Sequence, residues 1–188
     1  MLTRPGRVTL FVLTAASVAF VSCSNDPGAS AQTGQAGEVL AAALEAHAAG
    51  DLDGAVELYE EVLVLDPQNR FAYYNLGLID QTRGLDEAAA AEYEQAIAVA
   101  PGFTPAMFNL AIIRAGQGAV DEAISLYRDV IAVNDADARA HLNLGFLLVE
   151  SGDREEGETE LSRAVELDPS LASRIPDGEP VEGQTTGP

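Results

Sequence analysis

Apolar and polar positions along the middle of the chain recur with a period of 34 residues. Gly50, Gly84, Gly118 and Gly152 share one frame, and Tyr59, Tyr93 and Tyr127 share a second that Leu161 continues. Pro67, Pro101 and Pro169 share a third, with Asp135 in the remaining slot. The runs between these markers have the length and the alanine- and leucine-rich content of helices. Each period therefore predicts two helices. The glycine ends the first by supplying a positive φ past the C-cap, and the proline stops the second because it cannot continue the hydrogen-bond ladder. The predicted helices run near 37–49, 53–65, 70–83, 86–99, 104–117, 120–133, 138–151 and 154–167. Asp53 and Asp121 fall where a helix N-cap or first turn is expected. Leu85-Asp86-Glu87-Ala88 arrives one residue early in its frame and predicts a tighter turn after Gly84.

Asn75-Leu76-Gly77, Asn109-Leu110-Ala111 and Asn143-Leu144-Gly145 complete the pattern. It resembles the tetratricopeptide-repeat (TPR) family, whose repeats carry a Leu-Gly pair, a small residue, an aromatic and a final proline at these spacings. The resemblance covers residues 36–169 and implies an all-α solenoid, a right-handed superhelix of helix-turn-helix repeats at 36–69, 70–103, 104–137 and 138–171. It implies close helix packing at Gly77, Ala111 and Gly145 from the first helix of each pair, and at Ala55, Ala89, Ala123 and Gly157 from the second. Repeat one offers Ala41-Ala42-Ala43 in place of the Leu-Gly feature, as an atypical terminal repeat does.

With about 100° per residue, positions 2, 5, 9, 12 and 13 of each first helix share one arc, and positions 4, 7, 8 and 11 the opposite one. The second arc carries the signature residues and faces the partner helix. In the TPR family the first arc lines a concave groove for protein or peptide ligands. Here that arc holds Phe71, Tyr74 and Leu78, then Phe108 and Ile112, then Leu142 and Phe146, which makes these seven the candidate partner-binding residues. The alternative is that neighbouring helices bury part of the arc as ordinary core. Asn75, Asn109 and Asn143 match the asparagines with which some TPR domains clamp a C-terminal carboxylate, but Arg139 is the sole basic residue on the arc, which argues against such a clamp. Asp80 and Arg114 occupy equivalent positions of adjacent repeats and are expected to form an ion pair.

The two ends carry different signals. Arg4 and Arg7 precede an apolar run from Val8 to Val21. That run is shorter than the about 20 residues a membrane-spanning helix needs and reads as a secretion signal over 1–22. Phe20-Val21-Ser22-Cys23 resembles the lipobox of bacterial lipoproteins, in which the cysteine is lipidated and becomes the new N-terminus. Cys23 is the lone cysteine, so no disulfide competes for it. Residues 23–35 read as a flexible tether and 176–188 as a disordered tail rich in Gly, Pro, Glu and Thr. Residues 170–175 read as a short cap, with Leu171 and Ile175 on one face expected to cover repeat four around Leu148 and Leu161.

Charge narrows the partners. The formal net charge is −20, and losing Arg4 and Arg7 with the leader makes it −22. Such a surface repels phosphate backbones and anionic head groups, which excludes nucleic acid and electrostatic membrane docking. The acid run through Asp153, Glu155, Glu156, Glu158 and Glu160 lacks the glycine-centred loop of a calcium site. His47 and His141 have no spaced partners for a metal, and no nucleophile motif or phosphate loop is present. No catalytic residue, cofactor or metal is therefore assigned. The leading expectation is an exported, lipid-anchored interaction module facing the periplasm or cell exterior. It is expected to be held to the membrane through Cys23 and to serve assembly or maintenance of an envelope complex. The alternative is a structural oligomer that self-associates at its C-terminal end, with an enzyme or a small-molecule or metal binder the least supported.

Overall fold

The computed structural model describes residues 27–175, and side chains from residue 33 onward. The order is α1 (Pro27–Ala48), α2 (Leu52–Leu65), α3 (Arg70–Thr82), α4 (Asp86–Val99), α5 (Thr104–Gly116), α6 (Val120–Val133), α7 (Ala138–Ser151) and α8 (Arg154–Leu167), closed by a 3-10 helix at Pro169–Arg174. Among the described residues there is no strand. Odd and even helices pair as antiparallel partners, and each even helix also packs on the odd helix that follows it.

The sharp turns inside each pair are made by one device. Gly50, Gly84, Gly118 and Gly152 have φ of +82°, +72°, +77° and +104°, a region where a Cβ is strained. The amide after each glycine reaches back to close the helix: Asp51 to the Ala46 carbonyl at 3.0 Å, Leu85 to Asp80 at 2.9 Å, Ala119 to Arg114 at 2.9 Å and Asp153 to Leu148 at 2.8 Å. The turn after Gly84 is thus the same as the other three, not tighter, and α4 stays in frame. The backbone bond fixes the turn length, and the early Leu85-Asp86 pair changes only which side chains occupy it.

Asp51, Asn69 and Asp137 cap α2, α3 and α7, accepting from the amides of Gly54, Ala72 and Ala140 at 3.0, 3.1 and 3.1 Å. Asp53 and Asp121 lie in the first turns of α2 and α6. α6 ends at Val133 in frame with the other even helices although Asp135 replaces the proline, so proline punctuates this boundary without creating it.

One expectation fails at the N-terminal side. The stretch 27–35, read as tether, is the first part of α1. Pro27 stands at the first helical position, where its missing N–H costs nothing, and the alanines and glutamines that follow carry the helix onward. Cys23, residues 1–22 and residues 176–188 lie outside the described residues.

The core is a stack of layers in register with the repeat. Tyr59, Tyr93 and Tyr127 are its largest fully or nearly fully buried side chains. Small residues let the pairs close. A Cβ on Gly77 would meet the Tyr93 ring at 2.6 Å, and one on Gly145 would meet Leu161 at 2.7 Å and the Gly157 carbonyl oxygen at 2.9 Å. Ala43, fully buried, takes the equivalent place in repeat one.

Candidate functional site

The first-helix arc divides into residues that reach solvent and residues that do not. Phe71 is 43% exposed and Ile112 40%, while Tyr74, Leu78 and Phe146 are half-buried. Leu142 is fully buried and Phe108 is 8% exposed, so neither offers a side chain to a partner. What lies beside each of them explains the difference. Leu142 is covered by Leu171 of the 3-10 helix, together with Leu161 and Ala164. Phe108 packs edge-on against Tyr127 at 5.5 Å, and the Arg139 guanidinium lies 4.7 Å over its ring.

Position 9 of the arc is apolar in every repeat and buried in none: Leu44, Leu78, Ile112 and Phe146, spaced by 34 residues. Leu44, 45% exposed, extends this ladder into the terminal repeat. Beside it an aromatic group of repeat two reaches the start of α5. Phe71 and Tyr74 each meet Phe103 edge-on, at 5.6 and 5.4 Å, and Tyr74 lies 5.8 Å from Tyr93. The Arg70 guanidinium sits 4.7 Å from the Phe71 ring and 5.5 Å from that of Phe103. Neither Phe103 nor Arg70 belongs to the arc that the sequence singles out. The signal that could have found Phe103 is the slot before each odd helix, where Asn69 and Asp137 cap and Phe103 makes no side-chain cap bond.

The asparagines beside the arc bond inward, whereas Thr82, Arg139 and Glu150 on the arc are exposed. Asn109 Nδ2 donates to the Tyr93 hydroxyl at 3.3 Å, and Asn143 Nδ2 to the Tyr127 hydroxyl at 3.0 Å. Tyr93 in turn donates to Gln81 Oε1 at 2.9 Å, and His47 Nδ1 lies 3.3 Å from the Tyr59 hydroxyl. Burial holds all three tyrosines in the neutral form, with Tyr59 pushed up to about 12. The asparagines are thus engaged by tyrosines and, for Asn75, by the Phe71 carbonyl at 2.7 Å.

The predicted Asp80–Arg114 pair does not form. Arg114 is engaged by Glu94 and by Glu122 Oε2 at 3.1 Å, because the even helices α4 and α6 flank α5 more closely than its equivalent α3 does. Asp80 faces acids instead. Glu92 is held above the usual carboxylate range by burial and by the charges of Asp80 and Glu60, and its Oε2 is buried without a hydrogen-bond partner among the described residues. His141, 6% exposed, is tied by Nδ1 to Glu160 at 2.5 Å and by Nε2 to the Asp135 carbonyl at 3.1 Å. Among the described residues no group of three or more His, Cys, Asp or Glu is placed to hold a metal ion, and no helix is long and apolar enough to cross a membrane.

At the C-terminal end Leu171 is buried and Ile175 partly so, as expected, but they close over Leu142, Leu161 and Ala164. Leu148 belongs to the preceding layer, where Tyr127 and Val130 already enclose it. Beside this cap a cleft of about 900 Å³ opens between α7 and α8, lined by Phe146, Val149, Leu161, Val165 and Ile175 and edged by charged side chains.

Stacked two-helix units of one period with an accessible apolar ladder on their first helices define a repeat scaffold. Tetratricopeptide-repeat family models match residues 44–81, 83–138 and 114–174. The chain is an all-α tetratricopeptide-repeat solenoid. It is similar to the crystal structure of MamA, with a TM-score of 0.66 and 24% identity over 78% of this chain and 86% of that one. A MamA fragment from Desulfovibrio magneticus matches at 0.62 and 21% identity, covering 72% and 76% of the two chains. A thermophilic TPR protein of Thermus thermophilus matches at 0.55 and 25% identity, covering 71% and 75%. No curated protein matches in sequence.

Proposed function

We propose that this solenoid is an extracytoplasmic, lipid-anchored scaffold that holds an apolar segment of a protein partner along its first-helix face, in assembly or maintenance of an envelope complex. The ladder of Leu44, Leu78, Ile112 and Phe146 carries the reading. An acidic chain with no use for this line would place charge there, as it does over much of its surface. Instead, four repeats keep apolar side chains in partial contact with water, flanked by Phe71 and the Phe103 ring group. Such partly exposed aromatic and aliphatic anchors are what interfaces use. The other well-exposed apolar residues, Val64, Leu85 and Val133, belong to even helices and a turn; of these only Val133 shares a frame with apolar residues in every repeat, the half-buried Leu65, Val99 and Leu167 that end the even helices.

Site-specific photo-crosslinking tests the surface. A photoreactive side chain at Leu78 or Ile112 should give a discrete cross-linked partner band in the cell envelope, and one at Val64 or Val133 should not. The same products from all four positions would reject the ladder as the working face.

Anchoring rests on the sequence of the leader, where positive charge, an apolar run and small Ser22 converge on Cys23. Cys23→Ala should remove the lipid mass and release the protein from membranes or leave it as a precursor. Unchanged mass and unchanged membrane retention would reject the anchor.

A further inference from the structure

Each internal odd helix seats on the preceding even helix through one stripe. Positions 3, 7 and 10 read Ala72, Leu76 and Ile79 in α3, Ala106, Leu110 and Ile113 in α5, and Ala140, Leu144 and Leu147 in α7. These residues lie in the layers containing Tyr59 and Val62, then Tyr93 and Ala96, then Tyr127 and Val130. The matching seat on α8 is Leu161, Ala164 and Val165; Leu171 already covers Ala164 and most of Leu161, and the part left open, Val165 with the edge of Leu161, lines the cleft at the end of the solenoid. In that frame the chain offers Arg174, Gly178 and Val181. An arginine and a glycine replace the alanine and leucine of the stripe. Pro176 and Pro180 add two helix breakers to that sequence. The frame changes on the seat as well. Leu161 replaces the tyrosine whose hydroxyl in repeats two and three takes a bond from the next repeat's asparagine, so whatever seats here has no phenol to satisfy.

We infer that the cleft between α7 and α8 docks an amphipathic helix from another protein, one that presents a small-leucine-isoleucine stripe at i, i+4 and i+7 and basic residues on its flanks. The stripe follows from the stacking rule of the three internal seams. The basic flanks follow from the rim, where Arg154 pairs with Glu158 at 3.3 Å and Arg163 with Glu166 at 3.2 Å, leaving Glu150 without an ion pair among the described residues and an excess of one negative charge. A second copy meets that rim badly, because the exposed face of α1 presents Glu38 and Glu45 beside Ala41 and Ala42, and the whole chain carries −20. The chain's own continuation meets it badly too, with Asp177, Glu179 and Glu182 around a single bulky apolar residue, Val181. This seat is distinct from the ladder except at Phe146, which borders both.

The test uses the full chain and two synthetic helical peptides with the Ala-x-x-x-Leu-x-x-Ile stripe, one flanked by arginine and one by glutamate. Fluorescence anisotropy should show the arginine peptide binding roughly tenfold or more tighter than the glutamate peptide. Val165→Arg and Ile175→Arg should each weaken the arginine peptide roughly tenfold with helicity intact, the size of loss expected at an interface anchor. A Leu44→Asp, Ile112→Asp variant should bind it as the unmodified chain does. Equal binding by the unmodified chain and both arginine variants overturns the inference. Loss of the peptide in the Leu44, Ile112 variant alone also overturns it, while leaving the ladder intact as a peptide site. Tighter peptide binding by Val181→Asp would show that the chain's own continuation holds the cleft. A dimer in light scattering that Val165→Arg abolishes would show that a second copy does. Either result replaces the inferred occupant.

Discussion

Asn143 donates from Nδ2 to the Tyr127 hydroxyl at 3.0 Å, across the seam between the third and fourth repeats. Asn109 and Tyr93 make the same bond at 3.3 Å one repeat earlier. The asparagine frame, which in some TPR domains reads a ligand carboxylate, here ties repeats three and four to their predecessors, while Asn75 bonds within its own helix. Asn143→Leu strips the buried Tyr127 hydroxyl of its partner and should destabilise the fold by about 1–3 kcal/mol in urea denaturation. Tyr127→Phe in the Asn143→Leu background should recover part of that loss, since no orphaned hydroxyl remains. Strict additivity of the two changes would show that the bond does not couple the repeats.

Glu92 occupies the slot that Leu58 and Leu126 fill in the neighbouring repeats, and it faces Asp80 and Glu60. Its native pKa is raised above the unfolded value, so its favourable contribution is complete below the ordinary carboxylate range and is lost as pH rises through the native value. At neutral pH it is therefore a liability. Glu92→Leu should stabilise the fold by roughly 1–2 kcal/mol near pH 7, by removing an unsatisfied buried oxygen and a like-charge contact. The gap between variant and parent should narrow as pH falls toward the ordinary carboxylate value of 4.5. A gap that is constant with pH, measured by denaturation at several pH values, would reject the electrostatic cause. Asp80→Arg should also stabilise, because it recreates beside Glu60 the arrangement that Arg114 makes with Glu94.

The elements were legible because this fold repeats its instructions. Glycine with positive φ and the bond that closes behind it recur at all four intra-repeat turns, so even helix ends lacking proline stayed in frame. The surface was less legible. A helical arc counts the residues of one helix and omits what the following segment lays over them. Leu142 lies on the predicted arc, yet Leu171 covers it, and Phe108 is roofed by Arg139 from the next repeat. The ion-pair expectation failed for the same reason: equivalent positions of successive odd helices are separated by an even helix whose Glu94 reaches Arg114 first. Composition conceals the helix over 27–35, because glycine, serine and threonine stand among the alanines that follow Pro27.

Two glycines should respond with opposite signs to the same change. A Cβ on Gly157 would meet Val149 Cγ2 at 2.7 Å, the Gly145 carbonyl oxygen at 2.8 Å and the Val149 amide nitrogen at 2.9 Å. Two of those contacts are backbone, so α7 and α8 must separate, and Gly157→Ala should cost about 1–3 kcal/mol. Gly116 ends α5 with ordinary φ and nothing within 4 Å of its Cβ direction. Gly116→Ala should therefore stabilise by about 0.4–1 kcal/mol through the unfolded chain. Thermal unfolding of the two variants beside the parent tests both signs, and destabilisation by Gly116→Ala would show a contact that the geometry lacks.

The ladder predicts how partner binding depends on salt. If the anchors are Leu44, Leu78, Ile112 and Phe146, most of the affinity comes from apolar burial, which added salt does not screen. If the −20 charge of the chain recruits the partner instead, affinity should fall steeply as ionic strength rises. Ile112 is the most informative position, because it is 40% exposed and lies inside the array, away from either end. Ile112→Asp should leave the fold intact and weaken a captured partner by ~2 kcal/mol or more, at low and at high salt alike. Phe108→Ala should act through the fold, lowering thermal stability by about 3–5 kcal/mol because the ring is core. Once the protein is held well below its transition, the partner's affinity for that variant should change little. Binding of the cross-linked partner to the two variants, at two salt concentrations and one low temperature, separates these outcomes. A partner lost from both variants only at high salt would place recognition on the acidic surface instead.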